Sequence, residues 1–214
     1  MLFPEAARFQ KRITKQKFYE NLDVSPALKR AFIDQIQTVY WSHKLSPETI
    51  KIAPGEDVLE IEIFEIKLTS KELDETVLRQ IDKQIPYHIV FLLEHDGQYQ
   101  AWTAYKEAST GNAAFKVNRY YHTAWMTEEM LPLKVEGLNM DAVYENFVYQ
   151  IAGDALRAEN GKTLQAAVER AEKIKKLKKQ IEVLQAKIHK EKQLNVQMKL
   201  NSELKKLKKE LERI

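Results

Sequence analysis

Three side chains in the first third of the chain have the types and spacing of a metal-dependent hydrolytic site. They are Asp57, which ends "PGED", and Glu65 and Lys67 in "VLEIEIFEIKL", residues 58 to 68. Paired carboxylates offer magnesium the hard oxygen ligands it prefers, and a lysine beside them orients or deprotonates an attacking water. Side chains two apart on a strand share a face, so Glu65 and Lys67 stand together, with Ile61 and Ile63. In the same run Leu59, Ile61 and Ile63 alternate with Glu60 and Glu62, and the apolar phase then moves to Phe64, Ile66 and Leu68. That switch requires cover on both faces near the strand's end, or a bulge.

The trio resembles the signature of PD-(D/E)xK nucleases, which would imply magnesium as cofactor. Only seven residues separate Asp57 from Glu65, which is short for the usual turn between two strands, and Pro54 is not adjacent to Asp57. Glu-x-Lys on the open face of a strand is also common, so the residues favour a structural strand with Glu65 and Lys67 on a polar rim. His43, His88, His95, His122 and His189 never recur at the spacing of a zinc site. No Gly-rich dinucleotide fingerprint, P-loop or nucleophile elbow occurs. No catalytic residue, metal ligand or cofactor is therefore favoured.

Two aromatic clusters, "VYW" at 39 to 41 and "NRYYHTAW" at 118 to 125, carry the means to stack on bases. In a domain this small, closing the edge of the core is their expected use. "KRITKQK" at 11 to 17 reads either as phosphate contacts or as a solvated helix face.

Forty-four per cent hydrophobic residues with three Trp, nine Tyr and eight Phe sustain a core. The absence of cysteine excludes disulfides, thiolate metal sites and thiol nucleophiles, and fits a reducing cytoplasm. No run approaches a membrane span, so a cytoplasmic protein is expected. The net charge of +3 conceals a division. Residues 162 to 214 carry 16 Lys and Arg against 7 Asp and Glu, or +9, leaving 18 against 24, or −6, for residues 1 to 161. A basic tail suits an acidic partner, nucleic acid or a plain solvated helix.

Several elements must position these residues. Ser25-Pro26 opens a helix whose Leu28, Phe32, Ile36, Val39 and Tyr40 recur at helical spacing as far as "HKLSPET". A short strand "TIKIA" and the strand at 58 to 68 follow, and then a helix capped at Thr69-Ser70, striped by Leu73, Val77, Ile81 and Ile85 and ended by Pro86. "HIVFLLEHDGQYQAWTAY" reads as a hairpin turning at Asp96-Gly97. "STGNAA" is a loop, "FKVNRYYHTAW" a strand, and about 140 to 156 a helix. The expected fold class is α/β (α+β), a mixed or antiparallel sheet with packed helices over residues 1–158. Gly161 marks a hinge to a basic helical extension over 162–214.

In that extension Ile174, Leu177, Ile181, Leu184 and Ile188 step by three and four, the seam of a coiled coil. Lys192, Val196 and Leu200 then come at steps of four before Leu204, Leu207, Leu211 and Ile214 resume the alternation. The drift requires a break, an antiparallel hairpin or a change of partner at "KEKQLNVQMKLN", near residues 190–202. These leucines and isoleucines are the expected partner-binding residues, toward another protein or a second copy of the chain.

At "VYWSHKLSPETIKI", "EIFEIKL", "LRQIDKQIPYHIVFLL" and "KEKQLNVQMKLNSELKKLKKEL" the chain resembles a bacterial and archaeal family of domains of unknown function. The resemblance spans nearly the whole chain, with Ile-Asp-Lys-x-Ile-Pro-Tyr its most distinctive part. Family members are often encoded beside a restriction-type helicase and a DNA methyltransferase. The resemblance implies a role in a restriction-modification or phage-defence assembly, and the expected function is that of a non-catalytic accessory subunit of it. The competing expectations are a magnesium-dependent nuclease using Asp57, Glu65 and Lys67, and a nucleic-acid-binding module acting through the basic tail. No catalytic residues come with the resemblance, and members need not keep a lysine at the position of Lys67.

Overall fold

The computed structural model describes residues 2–20, 23–108, 115–156 and 163–214, which form two compact units, residues 1–153 and 154–214. Among the described residues of the first unit are β1 (Arg8–Ile13), β2 (Ile36–Leu45), β3 (Ile61–Leu68), β4 (His88–His95), β5 (Gln98–Ala108) and β6 (Phe115–His122). They form one sheet whose spatial order repeats the order in sequence. Neighbours are antiparallel except β3 and β4. The unit's helices are α1 (Pro26–Gln35), the single-turn α2 (Pro47–Ile50), α3 (Glu75–Gln84) and α4 (Met140–Ala152). A parallel pair needs a crossover, and α3 supplies it between β3 and β4. The architecture is α/β with a mixed sheet.

The interior position of β3 explains its sequence. Ile61, Glu62, Ile63 and Phe64 are buried in succession, as are Ile66 and Leu68, so both faces are covered from the start of the strand. On one face Phe64, Ile66, Phe91, Leu93 and Ala104 meet Phe32 of α1 and Val77, Leu78 and Ile81 of α3. On the other, Tyr144 of α4 lies 4.2 Å from the His88 ring, and Val143, Phe147 and Val148 are buried. Each large apolar side chain removed from water in these layers contributes roughly 1.5–3 kcal/mol before entropy is subtracted.

Four local expectations are corrected. The helix opened by Ser25, whose hydroxyl accepts the Leu28 N–H at 3.2 Å, ends at Gln35, and Ile36, Val39 and Tyr40 belong to β2. The run Ile36 to Trp41 is rich in β-branched and aromatic residues, and pairing with β1 and β3 outweighs its helical spacing. "TIKIA" contributes α2 rather than a strand: Ser46 and Thr49 form a capping box, Lys51 takes a left-handed φ of 58°, and only Ala53 makes an isolated bridge, to Asn139. The crossover helix is capped by Asp74, not Thr69-Ser70, and Thr69 Oγ1 instead donates to the Asp34 carbonyl at 2.7 Å. "KRITKQK" is no helix face, since it spans the end of β1 and a 3-10 turn at Lys15–Phe18. The hairpin turns at Asp96-Gly97, both at positive φ. The loop at 109 to 114 and the hinge at Gly161 lie outside the described residues.

The second unit holds α5 (Leu164–Lys190) and α6 (Leu194–Glu212), separated by Glu191, Lys192 and Gln193. The helices lie antiparallel, with Lys173 ion-paired to Glu210 at 3.2 Å and Arg170 donating to the Ile214 carbonyl. No helix among the described residues is long and apolar enough to cross a membrane.

Candidate functional site

The three residues of the nuclease reading do not converge. Asp57 precedes β3, in a loop whose amides at Glu56, Asp57 and Val58 donate to Asp141 of α4 at 2.7, 3.1 and 2.8 Å. A side chain on Gly55 would run into that carboxylate, so the loop's close approach needs a glycine there. Glu65 stands four residues into the strand, about 13 Å beyond Ile61 at the usual rise. Burial raises its pKa, with the charges of Glu128 and Glu94 adding to it and Lys67 opposing. Lys67 is half exposed and pairs with Glu94 at 3.4 Å, while Glu94 also accepts the Gly97 N–H at 2.9 Å. Among the described residues no three His, Cys, Asp or Glu side chains group as metal ligands.

The chemistry on this strand lies on its other face. Glu62 is fully buried, although its neighbours in sequence read as a half-exposed alternation. Its Oε2 accepts the Trp41 indole N–H at 2.6 Å, and its carboxyl lies within hydrogen-bonding reach of the Glu60 carboxyl. Burial pushes the carboxyl up to about 7. The Glu60 charge beside it adds to the rise, and the Trp41 N–H and Lys44 oppose it. Lys44 itself is ion-paired to Glu60 at 2.9 Å. A carboxyl poised near neutrality either donates or accepts a hydrogen bond, depending on its proton.

Glu62 lines a cavity of about 370 Å³, a size that suits a small organic ligand. Phe18, Trp41, Phe64 and Ile85 supply apolar walls, and Lys11, Arg12 and Lys17 supply three exposed cations. Their placement follows from the edge of the sheet. β1 bulges between Arg8 and Lys11, with Gln10 at a left-handed φ of 51°, so that Lys11 falls opposite Trp41. Phe9 then lies 4.4 Å from the Trp41 ring, and Trp41 stacks at 6.0 Å on Phe64. A non-glycine residue in that conformation costs on the order of 1 kcal/mol and persists only where its surroundings hold it.

A second buried carboxylate lies nearby in the same layer. Asp82 of α3 is ion-paired to Lys106 at 2.6 Å, both side chains being 1% exposed, and accepts the Tyr120 hydroxyl. Lys106 also donates to the Tyr87 carbonyl at 2.7 Å, and Arg79 lies 5.3 Å over the Tyr120 ring. Burial raises the Asp82 pKa and lowers that of Lys106, and the attraction between the two opposes both shifts. On the opposite face burial takes His88 down to about 3, with the Lys106 charge adding to the effect, so it stays neutral.

In the helical unit Leu177, Ile181 and Leu184 are buried, while Ile174, Ile188, Leu200, Leu204, Leu207 and Leu211 are half-buried. The flanking lysines at 175–176, 178–179, 205–206 and 208–209 are exposed.

Glu62 was missed in the sequence because it alternates with Leu59, Ile61 and Ile63. The signal that finds it is its phase with Phe64, Ile66 and Leu68, which places it on the face that contains the main aromatic core. "KRITKQK" and "VYW" did flag Lys11, Arg12, Lys17 and Trp41, without indicating that they meet.

No curated protein and no solved structure matches the chain. A family model, Domain of unknown function (DUF4391), matches residues 1–211. That span takes in the sheet, the cavity and both helices of the second unit, and the chain belongs to this family of domains of unknown function.

Proposed function

We propose that the chain is a non-catalytic interaction subunit of a DNA-processing assembly of the restriction-modification or phage-defence kind, holding a helicase or methyltransferase through α5 and α6. The observation that carries this reading is a basic helical hairpin that is a compact unit of its own. Residues 162 to 214 carry a net charge of +9, against −6 for residues 1 to 161. An exposed array of lysines on rigid helices presents a fixed positive surface, which steers association with an acidic partner and sets its register. The resemblance to a family encoded beside restriction-type helicases and methyltransferases supplies the setting.

The test is affinity capture of the tagged full-length chain from its native cells after nuclease treatment, read by mass spectrometry. The control changes Lys175, Lys176, Lys178 and Lys179 to Glu, all exposed, so that the hairpin's packing is preserved. A helicase or methyltransferase held by the unmodified chain and lost from the variant is the expected result. Recovery of the chain alone, or retention indifferent to the charge reversal, overturns the reading.

A further inference from the structure

We infer that the cavity between β1, β2, β3 and the end of α3 takes a nucleotide, with its base against Trp41 and its phosphate among Lys11, Arg12 and Lys17. The nucleotide is either a free mononucleotide or the unstacked end of a single strand. The site belongs to the first unit and stands apart from the docking reading of the helical hairpin.

Three features of the cavity converge on this ligand. The walls are aromatic where a flat ring would lie: Trp41 is only partly buried, and is held by Phe9 at 4.4 Å and Phe64 at 6.0 Å. A preformed aromatic face stacks any base, because every base offers a π surface. The cations come from two elements, Lys11 and Arg12 on β1 and Lys17 on the following 3-10 turn, so they surround one side of the opening. That arrangement recognises a phosphate and repels an amine.

The third feature is Glu62, fully buried and lining the cavity, with one oxygen on the Trp41 indole N–H and its carboxyl set against that of Glu60. Held in this way, the Trp41 ring is positioned before a base arrives, so little ordering is left for binding to supply. A fatty acid would use the apolar walls and the cations but has no flat ring for Trp41. The nucleotide engages both the ring and the cations. The left-handed Gln10 at the bulge is a local strain that places Lys11 opposite Trp41, in keeping with strain kept where a ligand is held.

The experiment titrates the full chain with each of the four ribonucleoside monophosphates and, separately, with a short single-stranded oligonucleotide. Tryptophan fluorescence and calorimetry provide the readouts. One variant is Lys11→Glu with Lys17→Glu, both exposed and so neutral to folding, and a second is Trp41→Leu. A third reverses the hairpin charges at 175, 176, 178 and 179. Saturable quenching by a mononucleotide, weakened at least tenfold in the Lys11/Lys17 variant and kept in the hairpin variant, is the expected result for a free nucleotide. Binding of the oligonucleotide alone with the same variant pattern assigns the cavity to a strand end. In Trp41→Leu both the affinity and the quenching should fall, the affinity by about fivefold or more, and an undiminished affinity would overturn the placement of the base. The inference is overturned if neither probe binds, or if binding follows the hairpin charges and ignores Lys11 and Lys17.

Discussion

Asp82 and Glu62 are both carboxyls buried beneath the same sheet, and Tyr87 borders both: it lines the cavity and its carbonyl accepts Lys106. Around Asp82 the partners are in place, with an ammonium on one oxygen and a phenol on the other. Around Glu62 one oxygen is held by an indole and a second carboxyl, that of Glu60, lies alongside, at the edge of a cavity. Burial alone therefore does not make two carboxyls alike. The difference lies in what faces each of them, a buried cation for Asp82 and a like charge for Glu62.

The comparison breaks most visibly by removing one partner from the closed cluster. Lys106→Met leaves the Asp82 charge uncompensated, and a loss of about 3–5 kcal/mol in denaturant unfolding is expected. A loss below 1 kcal/mol would mean that Asp82 is not held as an ion.

The open site responds to pH instead. The folded pKa of Glu62 is raised from 4.5 to about 7, so the folded state holds the proton more tightly than the unfolded chain. Its contribution is fully present below pH 4.5 and is lost as pH rises through 7, with a total on the order of 3 kcal/mol. Glu62→Gln should remove this slope and raise the melting temperature at pH 8 relative to the unmodified chain. Glu60 and Lys44 face the same carboxyl, as do the cavity's Lys11, Arg12 and Lys17, and all remain in the variant. An unchanged slope would place the titration on another group.

The smallest effect is expected on the face of β3 that the nuclease reading used. Lys67→Met removes a half-exposed partner from Glu94, which keeps the Gly97 N–H. A change below about 1 kcal/mol in the same unfolding assay is expected. A larger one would make that rim a third charged cluster of structural weight.

The legibility of the sequence follows the same physics. The β4–β5 hairpin was readable because Asp96-Gly97 encodes its turn locally. The helical stripe of α5 was readable because its period is independent of neighbours. Ile36 to Leu45 was misread because helical spacing and β-branching conflict there, and only pairing with strands distant in sequence decides between them. The crossover helix slipped to Asp74 because Thr69 caps the carbonyl end of α1 instead. The cavity was half visible: its cations and its tryptophan stood out as types. Their meeting with Glu62 depends on a bulge at Gln10 and on a parallel pairing that no local window contains.

The strand order carries a consequence for how the chain assembles. Each strand pairs with the next to leave the ribosome, so the sheet can grow by accretion, with the connection from β1 to β2 that carries α1 the longest excursion between neighbours. The loop at 54 to 58 is the exception. Its amides wait for Asp141, which is made more than eighty residues later. The anchor of the segment leading into β3 is therefore among the last contacts of the first unit to form, after all six strands have been synthesised.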